Sequence, residues 1–216
     1  MLIAAIQLID EAGSAALSLR QLAESIGSST ATLYRHFSSK DEIRACVVDR
    51  VLGEVKIDTT RMRVMDWSQA WIYAATALYQ ILQVHPGIVP LLASQVPVGP
   101  NALVHREKAI AFLLANGFSA QLAARGYSAS MHYVIGFASQ LPTPSLSPTS
   151  DTELRDFYKK LNQKIFPAMT SVAEYLPMIS NDDEFHFGLS LIVEGLSRAS
   201  GEIANASRST RQQRSP

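Results

Sequence analysis

Residues 29–40, Ser-Thr-Ala-Thr-Leu-Tyr-Arg-His-Phe-Ser-Ser-Lys, set short, hydroxylic, aromatic and cationic side chains in a helical order. At 100° per residue Leu33 and Phe37 lie one turn apart on one side. The opposite direction falls near Ala31 and Arg35, flanked by Thr32 and Tyr34. The chemistry on offer is recognition. A helix entering the major groove of a duplex needs small side chains where it approaches base edges, and hydroxyl or guanidinium donors where it meets base acceptors and phosphates. The spacing fits a plainer reading equally well, in which Tyr34, His36 and Phe37 form an aromatic corner of a core. Charge bears on the choice. Between Ser18 and Lys40 stand three cations, Arg20, Arg35 and Lys40, against one acid, Glu24, whereas Asp41, Glu42, Asp49 and Glu54 all follow on the next segment. A single module of this kind would bind weakly; specific affinity needs two, about one helical turn of DNA apart in a symmetric dimer.

Signatures of catalysis are missing. There is no Gly-rich phosphate loop, no Gly-x-Ser-x-Gly and no His-Glu-x-x-His, and His105-Arg-Glu107 stands without the cysteine partners of a zinc deaminase. Cys46, between Ala45 and Val47, reads as a small packed residue. His132 lies between Met131 and Tyr133, which favours a satisfied core histidine over a ligand contact, and Trp71 likewise reads first as packing.

These residues must be held by a frame. The chain has 216 residues, 47% of them apolar and 18% charged, which is ordinary globular composition and enough for one compact unit with a small attachment. Nineteen basic and nineteen acidic side chains cancel, so any polyanion must be held by a local patch. One cysteine allows no internal disulfide, and residues 1–10 lack a basic lead and a long apolar stretch. A cytoplasmic protein with no membrane span is expected.

Apolar spacing is helical nearly throughout, so the fold class is all-α. Four short helices are expected in residues 1–56. The first ends at Gly13; the second opens with a Ser18/Gln21 capping box, buries Leu19, Leu22, Ala23 and Ile26, and ends at Gly27. The third is capped by Ser28 or Ser29 and the fourth spans Asp41 to Val55. Residues 57–67 lack a period and suit a joint. Helices follow from Trp67 to Val84, in a short piece among Pro90, Pro97 and Pro100, from Asn101 to Ala115, and from a Ser119 cap to Gln140. A Pro-rich loop is expected at 141–150, then helices from Asp151 to about Thr170 and from Asp182 to about Ile203. Two domains, 1–56 and 57–204, and a disordered tail, 205–216, are the resulting organisation. Leu122, Tyr127, Met131, Val134, Ile135 and Ala138 suit either ordinary core or a four-helix dimer seam shared with Phe185, Leu189, Ile192 and Leu196.

Ser18-Leu-Arg-Gln-Leu-Ala, Ile26-Gly27 and Thr32-Leu-Tyr-Arg-His-Phe-Ser-Ser-Lys-Asp-Glu42 resemble the helix-turn-helix of the TetR family of transcriptional regulators. Trp71, His85-Pro86-Gly87, Gly99-Pro-Asn-Ala-Leu103, Asn116-Gly-Phe-Ser119, Gly136-Phe137 and Asp183-Glu-Phe-His-Phe-Gly-Leu189 resemble the C-terminal domain of its tetracycline-repressor subclass. The resemblance implies a homodimer on double-stranded operator DNA, released when a small-molecule effector changes the separation of the two reading helices. By the same resemblance Arg20, Thr30 and Thr32 contact bases, Ala31 sits near a thymine methyl, and Ser18, Tyr34, His36 and Lys40 contact phosphates. Arg35 could serve either purpose. Two departures stand out. Ser28 occupies a turn position usually apolar in the family, which implies looser packing there. The chain also starts at the first helix without the basic lead-in common in the family, which points to a late start or a truncated chain.

The metal chemistry of the subclass does not carry over. Its magnesium-drug chelate uses a histidine in the stretch matching Leu92 to Gln95, which has none, and a carboxylate near the position of uncharged Gln140. The expectation is a more apolar effector, no metal and no cofactor, with Trp71, Tyr73, Ala77, Phe112, Met131, His132 and Gln140 as pocket candidates. The rival readings are a ligandless helical DNA-binding co-regulator and, further off, an α-helical enzyme.

Overall fold

The structure, a computed structural model, describes residues 1–15, 17–140, 151–176 and 180–212. The loop expected at 141–150 and the last residues of the expected tail lie outside them. Among the described residues there are helices and no strands. They fall into two compact units, Met1–Gln140 with Leu189–Pro216, and Leu141–Gly188. The four-helix module expected at 1–56 lies within the larger unit.

In the larger unit α1 (Leu2–Ala12), α2 (Leu19–Ser25), α3 (Thr30–His36) and α4 (Lys40–Leu52) close around Ile9, Leu17, Leu22, Leu33, Ile43 and Val47, all nearly inaccessible to water. Leu19, Ile26 and Phe37, expected inside, are only half-buried at the rim of this small core. The Ser18 cap differs from expectation: its hydroxyl makes no capping bond, and only its carbonyl accepts, from Leu22 N–H at 2.9 Å. Ser29, one of the two candidates, caps α3 by accepting from Thr32 N–H.

The fourth helix starts one residue earlier than expected, because Ser39 accepts from Glu42 N–H at 3.1 Å while the Glu42 carboxylate reaches back to the N–H and hydroxyl of Ser38. Those donated bonds hold the Glu42 carboxyl below its usual range. A carboxyl whose folded value is depressed stabilises the fold above its unfolded value and loses that contribution as pH falls through the folded one. Thermal melts of wild type and Glu42→Gln should therefore differ at pH 7 and converge as pH drops below the ordinary 4.5. A gap that stays constant down to pH 3 would show that the carboxylate is idle.

Residues 57–67, expected to be aperiodic, hold a one-turn helix, α5 (Thr59–Met62), nucleated by the Asp58 side chain. Asp66 and Gln69 then form a reciprocal capping box that starts α6 (Trp67–Val84). His85-Pro86 ends α6, as expected, and a 3-10 turn, Pro86–Ile88, leads into α7 (Val89–Ser94). Here His85 links three elements: Nδ1 lies 2.7 Å from Asp10 Oδ2 on α1, and Nε2 lies 3.4 Å from Glu54 Oε2 just past α4. Pro100 opens α8 (Pro100–Ala115), and Ser119 caps α9 (Ala120–Ala138) as read from the sequence.

In the smaller unit the single helix expected from Asp151 to Thr170 is two, α10 (Asp151–Lys159) and α11 (Pro167–Ser171). Asn162 accepts from Lys164 N–H, a local turn that competes with helix, and Pro167 offers no N–H and drives Phe166 out of helical geometry. The last helix, α12 (Asn181–Gln212), runs past the end expected near Ile203; no proline interrupts it before Pro216, so the expected tail is helical as far as Gln212. Among the described residues no helix is long and apolar enough to cross a membrane.

Candidate functional site

Two features of the larger unit offer chemistry, the outer face of α3 and a cavity. The helix pair α2–α3 turns at Gly27, whose φ of +62° lies in the left-handed region. Gly27 N–H donates to Glu24 O and Ser28 N–H to Ala23 O, the paired closure that ends many helices. The turn is thus held by backbone bonds, and Ser28 sits exposed in it without needing an apolar contact. With Leu33 facing the core, Thr30, Ala31, Tyr34, Arg35 and His36 are exposed and Thr32 is half-buried. Tyr34 keeps 57% of its surface in water, which removes the reading of it as a core aromatic.

Local bonds pre-arrange this face. Ser29 Oγ and Thr32 Oγ1 lie 3.2 Å apart, and an Arg35 Nη donates to Thr32 Oγ1 at 3.5 Å. Arg20, exposed in the first turn of α2, donates to Glu24 at 2.9 Å, and this partner holds its guanidinium more firmly protonated than usual. Half-buried Ser18 and Lys40 flank the pair, at the starts of α2 and α4. Nearby Cys46 has its thiol pushed up by burial and by Glu42 and Asp49, which makes it a poor nucleophile.

The second feature is a cavity of about 720 Å³ within α6, α7, α8, α9 and the end of α4. Its walls follow helical stripes: Trp71, Ala74, Ala75 and Leu78 on α6, and Ala102, His105, Arg106, Ala109 and Ile110 on α8. From α9 come Tyr127, Met131, His132 and Ile135. Of the pocket candidates, Trp71, Met131 and His132 line it. Tyr73, Ala77, Phe112 and Gln140 do not. Tyr73 and Ala77 fall off the α6 stripe, and the Tyr73 hydroxyl accepts from Asp58 N–H under the Arg61 guanidinium. Phe112 stacks behind Trp71 at 6.4 Å between ring centroids, and Gln140 is exposed beyond the end of α9. Trp71 both packs and lines, because its indole N–H donates to buried Ser130 Oγ at 2.9 Å. Tyr127, Met131 and Ile135, read as core or seam, face the cavity; Val134, Ala138, Phe185 and Leu189 are buried, while Leu122 and Leu196 pack against Trp71, Leu113, Phe118 and Val193.

The cavity residues missed from the sequence are chiefly His105, Arg106 and Tyr127. Their signal was a His-Arg pair set at helical spacing between Ala102 and Ala109. Burial pushes the His105 imidazole below its ordinary value, so it is neutral at pH 7, and it also bonds to the backbone of Leu52 at the end of α4. Arg106 donates through Nε to the Tyr127 hydroxyl at 3.4 Å and through Nη2 to Pro97 O at 3.1 Å.

A buried carboxylate ties α4 to α8, one wall of the cavity. Asp49 on α4 accepts from Ala102 N–H at 3.0 Å and from Asn101 Nδ2 at 3.0 Å, and Asn101 Nδ2 also donates to Asp49 O. Asp49 thus caps α8 from a distance, at the positive end of that helix's dipole. Gly99, the residue in the capping position, has no side chain to do so, and a Cβ there would stand 2.3 Å from the Asp49 carboxylate.

Residues 2–46 match the family model for bacterial regulatory proteins of the tetR family, and residues 64–199 match the tetracyclin repressor-like C-terminal domain. An HTH-type transcriptional regulator of Saccharopolyspora erythraea is 35% identical over 137 residues, 63% of this chain and 57% of that protein, so the matched stretch spans little more than half of that relative. The HTH-type transcriptional repressor DrrR1 of Streptomyces coeruleorubidus is 27% identical over 89% of this chain and 74% of its own. Among solved structures, apo ActR from Streptomyces coelicolor aligns with a TM-score of 0.81 at 27% identity, covering 94% of this chain and 95% of that one. ActR in complex with actinorhodin aligns with a TM-score of 0.80 over 93% and 96%.

Proposed function

The chain belongs to the TetR family of bacterial transcriptional regulators, and on that premise we propose that it is a repressor, homodimeric and cytoplasmic, that leaves its operator when a small molecule fills the cavity. The observation that carries this reading is the Asp49 tie. The cavity wall formed by α8 is anchored to the helix that follows the recognition helix, so a ligand pressing on α8 displaces α4 and with it α3. A volume of about 720 Å³ suits a drug-sized ligand and argues against a filled, ligandless core. That ActR, of similar structure, is known in complex with actinorhodin supports a small-molecule ligand for this chain. No catalytic role enters this reading.

On DNA, α3 lies in the major groove. Arg20, Thr30 and Thr32 read bases and Ala31 meets a thymine methyl, while Ser18, Tyr34, His36 and Lys40 hold phosphates and Arg35 serves either purpose. Gel shifts on the chain's own promoter region across a salt series test this. Lys40→Ala should weaken binding uniformly across sequences and reduce the salt slope by about 1 for each protomer engaged. Thr32→Ala should instead change the motif recovered by binding-site selection. Loss of neither slope nor motif would remove these residues from the interface, and a protein monomeric at working concentration would end the dimer reading.

A further inference from the structure

Among the described residues Arg106 is the one lining the cavity that carries a permanent charge, and no Asp or Glu among them lines it. Among the described residues it has no ion-pair partner; its two bonds go to neutral oxygens, the Tyr127 hydroxyl and the Pro97 carbonyl. A guanidinium presents five N–H groups in a rigid fork, so most of its donors remain for another acceptor. The Tyr127 oxygen already accepts from Arg106 Nε, which leaves the phenolic proton to donate elsewhere. Both polar groups therefore seek acceptors, in a chamber walled mostly by apolar side chains such as Trp71, Leu78 and Met131, with the neutral polar groups of Ser94, Gln95 and Ser128 and the imidazoles of His105 and His132 also on its lining. A half-buried cation in such surroundings is costly to leave unpaired, and a carboxylate is the group whose two oxygens match the fork.

Resting on the proposal that this cavity takes an effector, we infer that the effector is an apolar, ring-sized molecule bearing one anionic group, a carboxylate or an equivalent oxyanion, held by Arg106 and the Tyr127 hydroxyl. The apolar body fills the space beside Trp71 and Met131. The anion sits one helical position from His105, which bonds to the backbone of Leu52, so occupation is felt at the end of α4.

Two fluorescent probes with the same ring system test this on the full chain: 8-anilinonaphthalene-1-sulfonate, which is anionic, and N-phenyl-1-naphthylamine, which lacks the sulfonate. Wild type should bind the anionic probe about tenfold or more tightly than the neutral one, the scale of a charge-assisted hydrogen-bond pair. Arg106→Met keeps the length and apolar body of the side chain and should abolish that preference by weakening only the anionic probe. Tyr127→Phe should reduce the preference partly. Cooperative thermal unfolding of each variant excludes binding to loosened protein. Equal affinity for the two probes in wild type, or an undiminished preference in Arg106→Met, overturns the anion site while leaving a neutral-effector cavity standing. Saturable binding of neither probe overturns the cavity reading and this inference with it.

Discussion

Asp49→Ala will cost the fold about 2–4 kcal/mol and weaken the link between the cavity wall and the helix that follows α3. The Asp49 residue is 8% exposed, and its carboxylate meets two N–H donors at the first turn of α8, Ala102 N–H and Asn101 Nδ2, each at 3.0 Å. Hydrogen bonds to an ionised group contribute about 1.5–3 kcal/mol each, and truncation also leaves a buried backbone N–H without a partner. Gly99 offers no replacement cap. Asp49→Asn separates charge from geometry: its amide oxygen can still accept, but its NH₂ turns a donor towards a donor, so about half the loss should return. Urea denaturation measures this as a fall in midpoint at unchanged slope. A loss below ~1 kcal/mol for Asp49→Ala would mean that α8 is held by its apolar packing alone. Operator release should suffer as well, since ligand-driven movement of α8 then reaches α4 only through the bonds of Asn101 Nδ2 to the main-chain carbonyl of residue 49 and of His105 to the Leu52 backbone.

Gly87→Ala is expected to be as damaging, through a backbone that has nowhere to go. A Cβ at Gly87 would lie 2.2 Å from the carbonyl oxygen of Ile9 and 2.9 Å from Asp10 N. A side chain in the way could change rotamer; main chain of α1 cannot, so α1 must lift off the 3-10 turn. Overpacking typically costs 1–3 kcal/mol, and the absence of a yielding neighbour puts this site at about 3. The same lift pulls Asp10 from His85, now 2.7 Å from its ring nitrogen. Lower Tm together with weakened operator binding is the expected pair of results, because α1 packs against both α2 and α4. A Gly87→Ala protein with wild-type Tm would show that α1 and the turn separate at little cost.

Helical spacing carried much of this protein. The outer face of α3 was legible because a helix that buries Leu33 must present Ala31, Tyr34 and Arg35 to water, and the structure exposes all three. Helix ends with local causes were legible too: Gly13, Gly27, His85-Pro86, Ser119. Where two local signals competed the spacing misled, as at Ser18, whose hydroxyl does not cap, and at Asn162 and Pro167, which break an apolar rhythm into α10 and α11.

The cavity was only partly legible, since Trp71, Met131 and His132 line it while Tyr73, Ala77, Phe112 and Gln140 do not. Periodicity tells which residues share a helical face and says nothing of what that face meets. Arg106 reads as an ordinary surface cation until α9 brings the Tyr127 hydroxyl to its Nε, and Asp49 reads as one more acid on α4 until α8 points its first N–H groups at it from fifty residues away. The sequence by itself determined most of the helices, the outer face of α3 and the family, because those depend on intervals of three and four residues. Tertiary structure alone decided the cavity and its link to α4, because a carboxylate acquires its partner only when two helices distant in the chain are packed side by side.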